Sequence, residues 1–130
     1  MAANQTATRI TGVQTVGIPV RDQDRSLAFY TETLGLEKRL DTMVGRERWI
    51  EVAPPGSATT IALVRGPDQV RMGIDTQVRL MTDDAVAAHA DLRARGVDVD
   101  DQILRDPAPR FTLRDPDRNR VMIVERPQGR

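Results

Sequence analysis

Cysteine is absent from this chain, and histidine, lysine, tryptophan and tyrosine occur once each, as His89, Lys38, Trp49 and Tyr30. Without cysteine there is no disulfide, no thiolate metal site and no cysteine nucleophile. A single imidazole excludes a multi-histidine metal centre. No apolar run approaches the ~20 residues of a membrane span, and the N-terminus lacks the apolar core of a secretory signal. Net charge is missing too. The 19 basic residues balance 19 acidic ones, leaving no overall electrostatic footprint for nucleic acid or an anionic membrane. Nearly all the basic residues are arginine, read here as codon bias in a GC-rich genome. The expectation is a cytoplasmic protein that binds neither nucleic acid nor membrane.

What is present fits a globular chain. With 130 residues, 39% hydrophobic and 29% charged, it makes one ordinary domain or two small modules sharing a core. Residues 1–8 are small and polar and are expected to be disordered; residues 9–130 are expected to form a single domain. Val13–Val20 is a β-branched run and predicts a strand. Asp22 is an N-cap for a helix carrying Leu27, Tyr30 and Leu34 at helical spacing, and Gly35 stops it. Strands are predicted over 36–44, 48–53 and 59–64, with a turn at Pro54-Pro55-Gly56. The pattern then recurs: a strand over 76–82, a helix capped by Asp83-Asp84 and stopped by Gly96, a short strand over 97–99, and a closing hairpin. In that hairpin Asp115-Pro116-Asp117-Arg118-Asn119 is strong turn chemistry between alternating strands. The order strand, helix, three strands therefore occurs twice. It predicts an α+β fold of two βαβββ modules, about 9–65 and 76–126, joined by a linker over 66–75.

Alternation along the strands separates two faces. Ile50 and Val52, Ile61 and Leu63, Val78 and Leu80, Phe111 and Leu113, and Val121 and Ile123 make an apolar face for the helices to cover. The opposite face carries Thr15, Trp49, Glu51, Ala62, Val64, Gln77, Arg79, Met81, Arg110, Thr112, Met122 and Val124. That mixture suits an open, curved mixed sheet lining a ligand cleft.

The segments VGIPVRDQDRSLAFYTETLGL, TDDAVAAHADLRARGV and FTLRDPDRNRVMIVE together resemble the vicinal-oxygen-chelate superfamily, which includes glyoxalase I, extradiol dioxygenases and bleomycin-resistance proteins. The resemblance covers nearly the whole chain, from Val13 to Glu125. It implies two modules around a cleft, a homodimer with clefts at or near the interface, and, in catalytic members, a divalent metal held by up to four side chains. In that family the hairpin turn commonly reads Asp-Pro-Asp-Gly-Asn. Carried over by position, the four ligand places here are Thr15, Ala62, Gln77 and Met122. Ala62 has no donor, Met122 is a soft thioether poorly suited to the divalent ions concerned, Thr15 is a weak donor, and Gln77 has no partner ligands. No metal and no cofactor are expected, and Met122 and Ala62 are expected near one another on the cleft floor.

Sharper roles for other residues meet plainer ones. His89 shares a helix face with Ala85 and Leu92, which makes it a packing residue in preference to a general base. Glu51 is the best carboxylate of the cleft set, and the plainer expectation is a pair with Arg79 or Arg110. Trp49 is a stacking platform or a buried interface residue. Asp83-Asp84 and Asp115/Asp117 are a cap and a turn. No glycine-rich phosphate loop or nucleophile elbow occurs. The functional expectation is a metal-free small-molecule binding protein that sequesters an antibiotic or other natural product, planar or polycyclic. No residue is assigned a catalytic role in it. The alternative is an isomerase, lyase or dioxygenase-like enzyme of the same fold acting on a small organic substrate with Glu51 as base, and a partner module without ligand is a third reading.

Overall fold

The computed structural model describes residues 8–66 and 71–127. The expected N-terminal arm, Thr8 apart, and the middle of the linker lie outside these residues.

The first module runs β1 (Thr15–Val20), α1 (Gln23–Ala28), β2 (Glu37–Val44), β3 (Glu47–Ala53) and β4 (Thr60–Arg65). The second runs β5 (Asp75–Thr82), α2 (Ala85–Ala94), β6 (Asp98–Val99), β7 (Arg110–Arg114) and β8 (Arg120–Glu125). Each module makes a four-stranded mixed sheet, in the orders β1-β4-β3-β2 and β5-β8-β7-β6. The β1–β4 and β5–β8 pairs are parallel and the other pairs antiparallel. The two sheets carry the same order because each helix takes the chain from the first strand of its module to the far edge of the sheet, and the following strands return antiparallel until the last lies parallel beside the first.

Local chemistry sets the helix ends. Asp22 Oδ1 accepts from Arg25 N at 3.1 Å, and Asp84 Oδ1 accepts from Ala87 N at 3.0 Å, each satisfying a donor of the first turn. Gly35 (φ 77°) and Gly96 (φ 85°) leave the helices through the left-handed region. Helix α1 continues as a π-helical turn over Phe29–Thr33, in which Leu34 N bonds to Phe29 O at 3.0 Å. The wider turn was not legible from 3.6-residue spacing. It leaves the single tyrosine, Tyr30, fully buried.

The apolar faces pack as one core. Ile18, Ile50, Val52, Ile61 and Leu63 of the first sheet join Phe111, Leu113, Val121 and Ile123 of the second in a single cluster with Tyr30 and Leu92. His89 lies at its margin. Its Nε2 is 2.6 Å from Asp100 O, so that nitrogen carries the proton, and its ring meets Phe111 edge-on at 4.9 Å.

The modules also meet through polar groups centred on the hairpin turn. Asp115 is buried and accepts from Tyr30 Oη (2.8 Å), Asn119 Nδ2 (3.1 Å) and the backbone N–H groups of Asp117 and Asn119 (both 2.9 Å). Asn119 Nδ2 also donates to Pro19 O at 2.8 Å, while its Oδ1 accepts from Gly73 N and Ile74 N. The turn is thus more than a hairpin connection: it fastens β1 and α1 to the second module.

Candidate functional site

The expected cleft residues fall on two sheets that share no strand pairing. On the first sheet, Gly17, Ala62 and Glu51 stand in one cross-strand row, and Thr15 and Thr60 in the next. Glu51, Thr60 and Ala62 are buried, Ala62 to 1% exposure, while Trp49, Val64 and Thr15 are half-buried. Ala62 therefore lies in a closed part of that face, not in an open floor.

The expected pairing of Glu51 with Arg79 or Arg110 is not what the structure shows. One Glu51 oxygen accepts from Trp49 Nε1 and the other from the Thr60 hydroxyl, both at 2.7 Å. Arg110 is engaged with its own loop, donating to Asp106 O at 2.6 Å and Ala108 O at 3.3 Å. The physical reason is geometric. Arg79 and Arg110 belong to the second sheet, whereas Trp49 lies two residues away on the same strand and face and Thr60 lies on the adjacent strand. The indole N–H and the hydroxyl hold the Glu51 carboxyl below its usual range, and burial opposes them only in part. A carboxylate so stabilised is a weak base at neutral pH, the reverse of what proton abstraction needs.

On the second sheet Gln77, Arg79 and Met81 are exposed and Arg110, Thr112, Met122 and Val124 half-buried. A cavity of about 90 Å³ brings together Gln77, Arg79, Thr112 and Met122 with Asp75 and Arg120. A bulge accounts for it. Between the pairs Asp75–Arg120 and Arg79–Met122, β5 advances from 75 to 79 while β8 advances only from 120 to 122. Asp75 Oδ1 accepts from Gln77 N at 3.0 Å and Thr76 Oγ1 accepts from Val78 N at 3.1 Å, and Gln77 takes φ 62°. Side-chain oxygens replace ladder partners, so the strand parts locally and Gln77 is held in a conformation disfavoured for a residue with a Cβ. Asp75 and Arg120 were missed from the sequence. The Asp75-Thr76 pair was the available signal, since both residues compete with the strand ladder for backbone hydrogens.

Met81 is placed elsewhere. It is 65% exposed and lines a groove of about 420 Å³ between the modules with Leu34, Leu36, Pro54, Leu80 and Leu92. The four places at which the resemblance sets the family's metal ligands are divided, Thr15 and Ala62 on the first sheet and Gln77 and Met122 on the second. The Thr15 hydroxyl donates to Thr60 O at 3.2 Å. These side chains do not fit a divalent ion of the kind this fold holds in catalytic relatives, because two of the four lack a suitable donor. Among the described residues no three His, Cys, Asp or Glu side chains converge on a common point.

Two sheets of this order, each backed by one helix and hinged on an Asp-Pro-Asp turn, define a paired-βαβββ protein. Residues 12–123 match the family model described as the Glyoxalase/Bleomycin resistance protein/Dioxygenase superfamily, and the chain belongs to that superfamily. It is similar to TnmS3, an antibiotic binding protein from Streptomyces sp. CB03234, with 32% identity and a TM-score of 0.83, covering 92% of this chain and 99% of that one. A superfamily member from Sphaerobacter thermophilus DSM 20745 is similar to the same degree, 32% identical with a TM-score of 0.83, over 92% of this chain and 100% of that chain. The Bacillus subtilis (strain 168) protein YetH is 34% identical over 68 residues, 48% of this chain. The chain spans 57% of the length of that curated relative. Among the described residues no helix is long and apolar enough to cross a membrane.

Proposed function

We propose that this chain is a metal-free binding protein that captures a small organic molecule, an antibiotic or other natural product, without transforming it. The observation that carries this reading is the makeup of the four ligand positions. Ala62 and Met122 offer no hard donor, while the surrounding faces keep an aromatic, a thioether, an amide and guanidinium groups suited to an organic ligand. The similarity to an antibiotic binding protein over nearly the full length of both chains supports it. The ligand-binding surface on this reading comprises Thr15, Trp49 and Val64 of the first sheet, with Glu51 and Ala62 buried behind them, and Gln77, Arg79, Arg110, Thr112, Met122 and Val124 of the second, while Met81 borders the separate groove between the modules. The depressed Glu51 pKa speaks against the enzymatic alternative in which Glu51 is the base.

Assembly into a homodimer is part of the proposal. β1 and β5 each have a strand neighbour on one side only, and the two half-walls lie on different sheets. A second copy would bring a first sheet and a second sheet to face each other across a cleft. The test is equilibrium binding with a panel of planar and polycyclic natural products. We expect saturation at one ligand per chain, recovery of the ligand unchanged, and no dependence on added Mg²⁺, Mn²⁺, Zn²⁺ or Fe²⁺. Consumption of the compound, or binding that requires one of those ions, would refute the reading.

A further inference from the structure

Away from these faces, arginines gather around the hairpin turn. A cavity of about 410 Å³ is lined by Arg21, Arg25, Arg114, Arg118 and Arg120, with Asp117 the one carboxylate among its lining residues. A second cavity of about 360 Å³ adjoins it, shares Arg25, Arg114 and Arg118, and adds Arg95 together with the carboxylates Asp98 and Asp115, so the excess of positive charge lies in the first. In a chain whose charges balance overall, such a concentration of one sign is a matter of placement. The module junction creates it. Arg21 comes from the connection between β1 and α1, Arg25 from α1, and Arg114, Arg118 and Arg120 from the facing ends of β7 and β8 and the turn between them. A concave wall of one sign focuses its field and raises the local concentration of counter-ions.

Asp117 offsets one of these charges but forms no ion pair with them. One of its oxygens accepts from Arg21 N at 3.2 Å and the other from the Ser26 hydroxyl at 3.3 Å. Arg114 pairs with Asp98 and Asp100. Among the described residues Arg21, Arg25, Arg118 and Arg120 take part in no ion pair. Arg25 is anchored differently, donating to Pro116 O at 3.0 Å.

A second observation is independent of charge. Arg118 has φ 66°, in the left-handed region that favours glycine. An arginine stands there although glycine would relax the turn, and its side chain lines both cavities. A residue kept in a disfavoured conformation is an argument for a use of its side chain.

We propose that this arginine-lined bowl at the junction of the modules binds a small phosphate-bearing anion, with Arg118 completing it. Guanidinium forks match phosphate oxygens in pairs, and several of them around one cavity suit a group with more than one negative charge. The site is separate from the proposed capture of an organic molecule, although Arg120 also borders the cavity at Gln77 and Met122.

The probe is inorganic pyrophosphate, titrated into the full chain by calorimetry, with sodium chloride at equal ionic strength as the control. Saturable binding with about one anion per chain is expected, together with a rise in Tm that chloride does not produce. Arg118→Gly should raise Tm in the absence of anion, because the turn relaxes, and weaken pyrophosphate binding roughly ten-fold. Arg21→Gln, on the opposite wall, should weaken it without that gain in Tm. ADP binding as tightly as pyrophosphate would identify the diphosphate group as what is recognised, and tighter binding of ADP would extend the site to a nucleotide. Equal stabilisation by chloride, unchanged affinity in both variants, or tighter binding of a single-stranded oligonucleotide than of either phosphate compound would overturn the proposal.

Discussion

The Tyr30 hydroxyl donates to Asp115 Oδ2 at 2.8 Å, joining the π-helical turn of the first module to the hairpin turn of the second across 85 residues of sequence. Both groups are buried. Burial raises the Tyr30 pKa far above that of an ordinary phenol, and the Asp115 charge adds to it. The folded chain therefore holds the phenol proton more tightly than the unfolded chain. That contribution to stability is fully present below the unfolded value of about 10 and declines as pH rises above it. Tyr30→Phe should lower stability at neutral pH by about 1–3 kcal/mol, since a buried carboxylate loses a donor. It should also flatten the alkaline limb of a plot of urea midpoint against pH. An equally steep alkaline decline in both proteins would show that Tyr30 does not carry the linkage, and with a single tyrosine the assignment is unambiguous.

Glu51 makes the complementary prediction at acid pH. Its pKa is lowered by hydrogen bonds from Trp49 and Thr60, so its contribution is present above the unfolded value of about 4.5 and is lost as pH falls through the lower folded value. Fluorescence of Trp49, the only tryptophan, should change in the native protein below that value as its acceptor gains a proton. Glu51→Gln should abolish this transition and flatten the acid limb of stability. A Glu51→Gln protein that titrates like the parent would place the transition on another carboxylate.

Gln77 separates backbone strain from side-chain use. Gln77→Gly should stabilise the fold by roughly 0.5–1 kcal/mol, because its φ of 62° suits glycine. Gln77→Ala keeps the strain and removes only the amide. If the amide orients the captured molecule, both variants bind it more weakly while only the glycine variant gains in Tm. Undiminished binding in both would remove Gln77 from the site.

Met81 tests assembly. It is exposed on β5, a strand with a free edge, and a charge there would be desolvated if a second copy covered it. Met81→Asp should shift sedimentation from dimer to monomer with the thermal transition of the monomer retained. A variant with the parent's sedimentation coefficient would show that this strand is not at the interface.

Much of the architecture was legible in the sequence because it rests on short-range rules. Period-two alternation marked Ile50 and Val52, Ile61 and Leu63, and Phe111 and Leu113 as one apolar face, and Asp22, Gly35, Asp84 and Gly96 marked the helix ends. The placing of Met122 and Ala62 at ligand positions rests instead on the family resemblance. What only the tertiary structure decided is which distant groups meet. Alternation says which face a residue is on but not which sheet lies opposite, so it could not assign Glu51 to Trp49 and Thr60 or part it from Arg110. Nor could it show the bulge at Gln77, where side-chain oxygens displace the strand ladder. Asp115 read as a turn residue from its neighbours in sequence. It became the polar centre of the junction because Tyr30, buried by a turn of the wrong period for an α-helix, has its hydroxyl beside it.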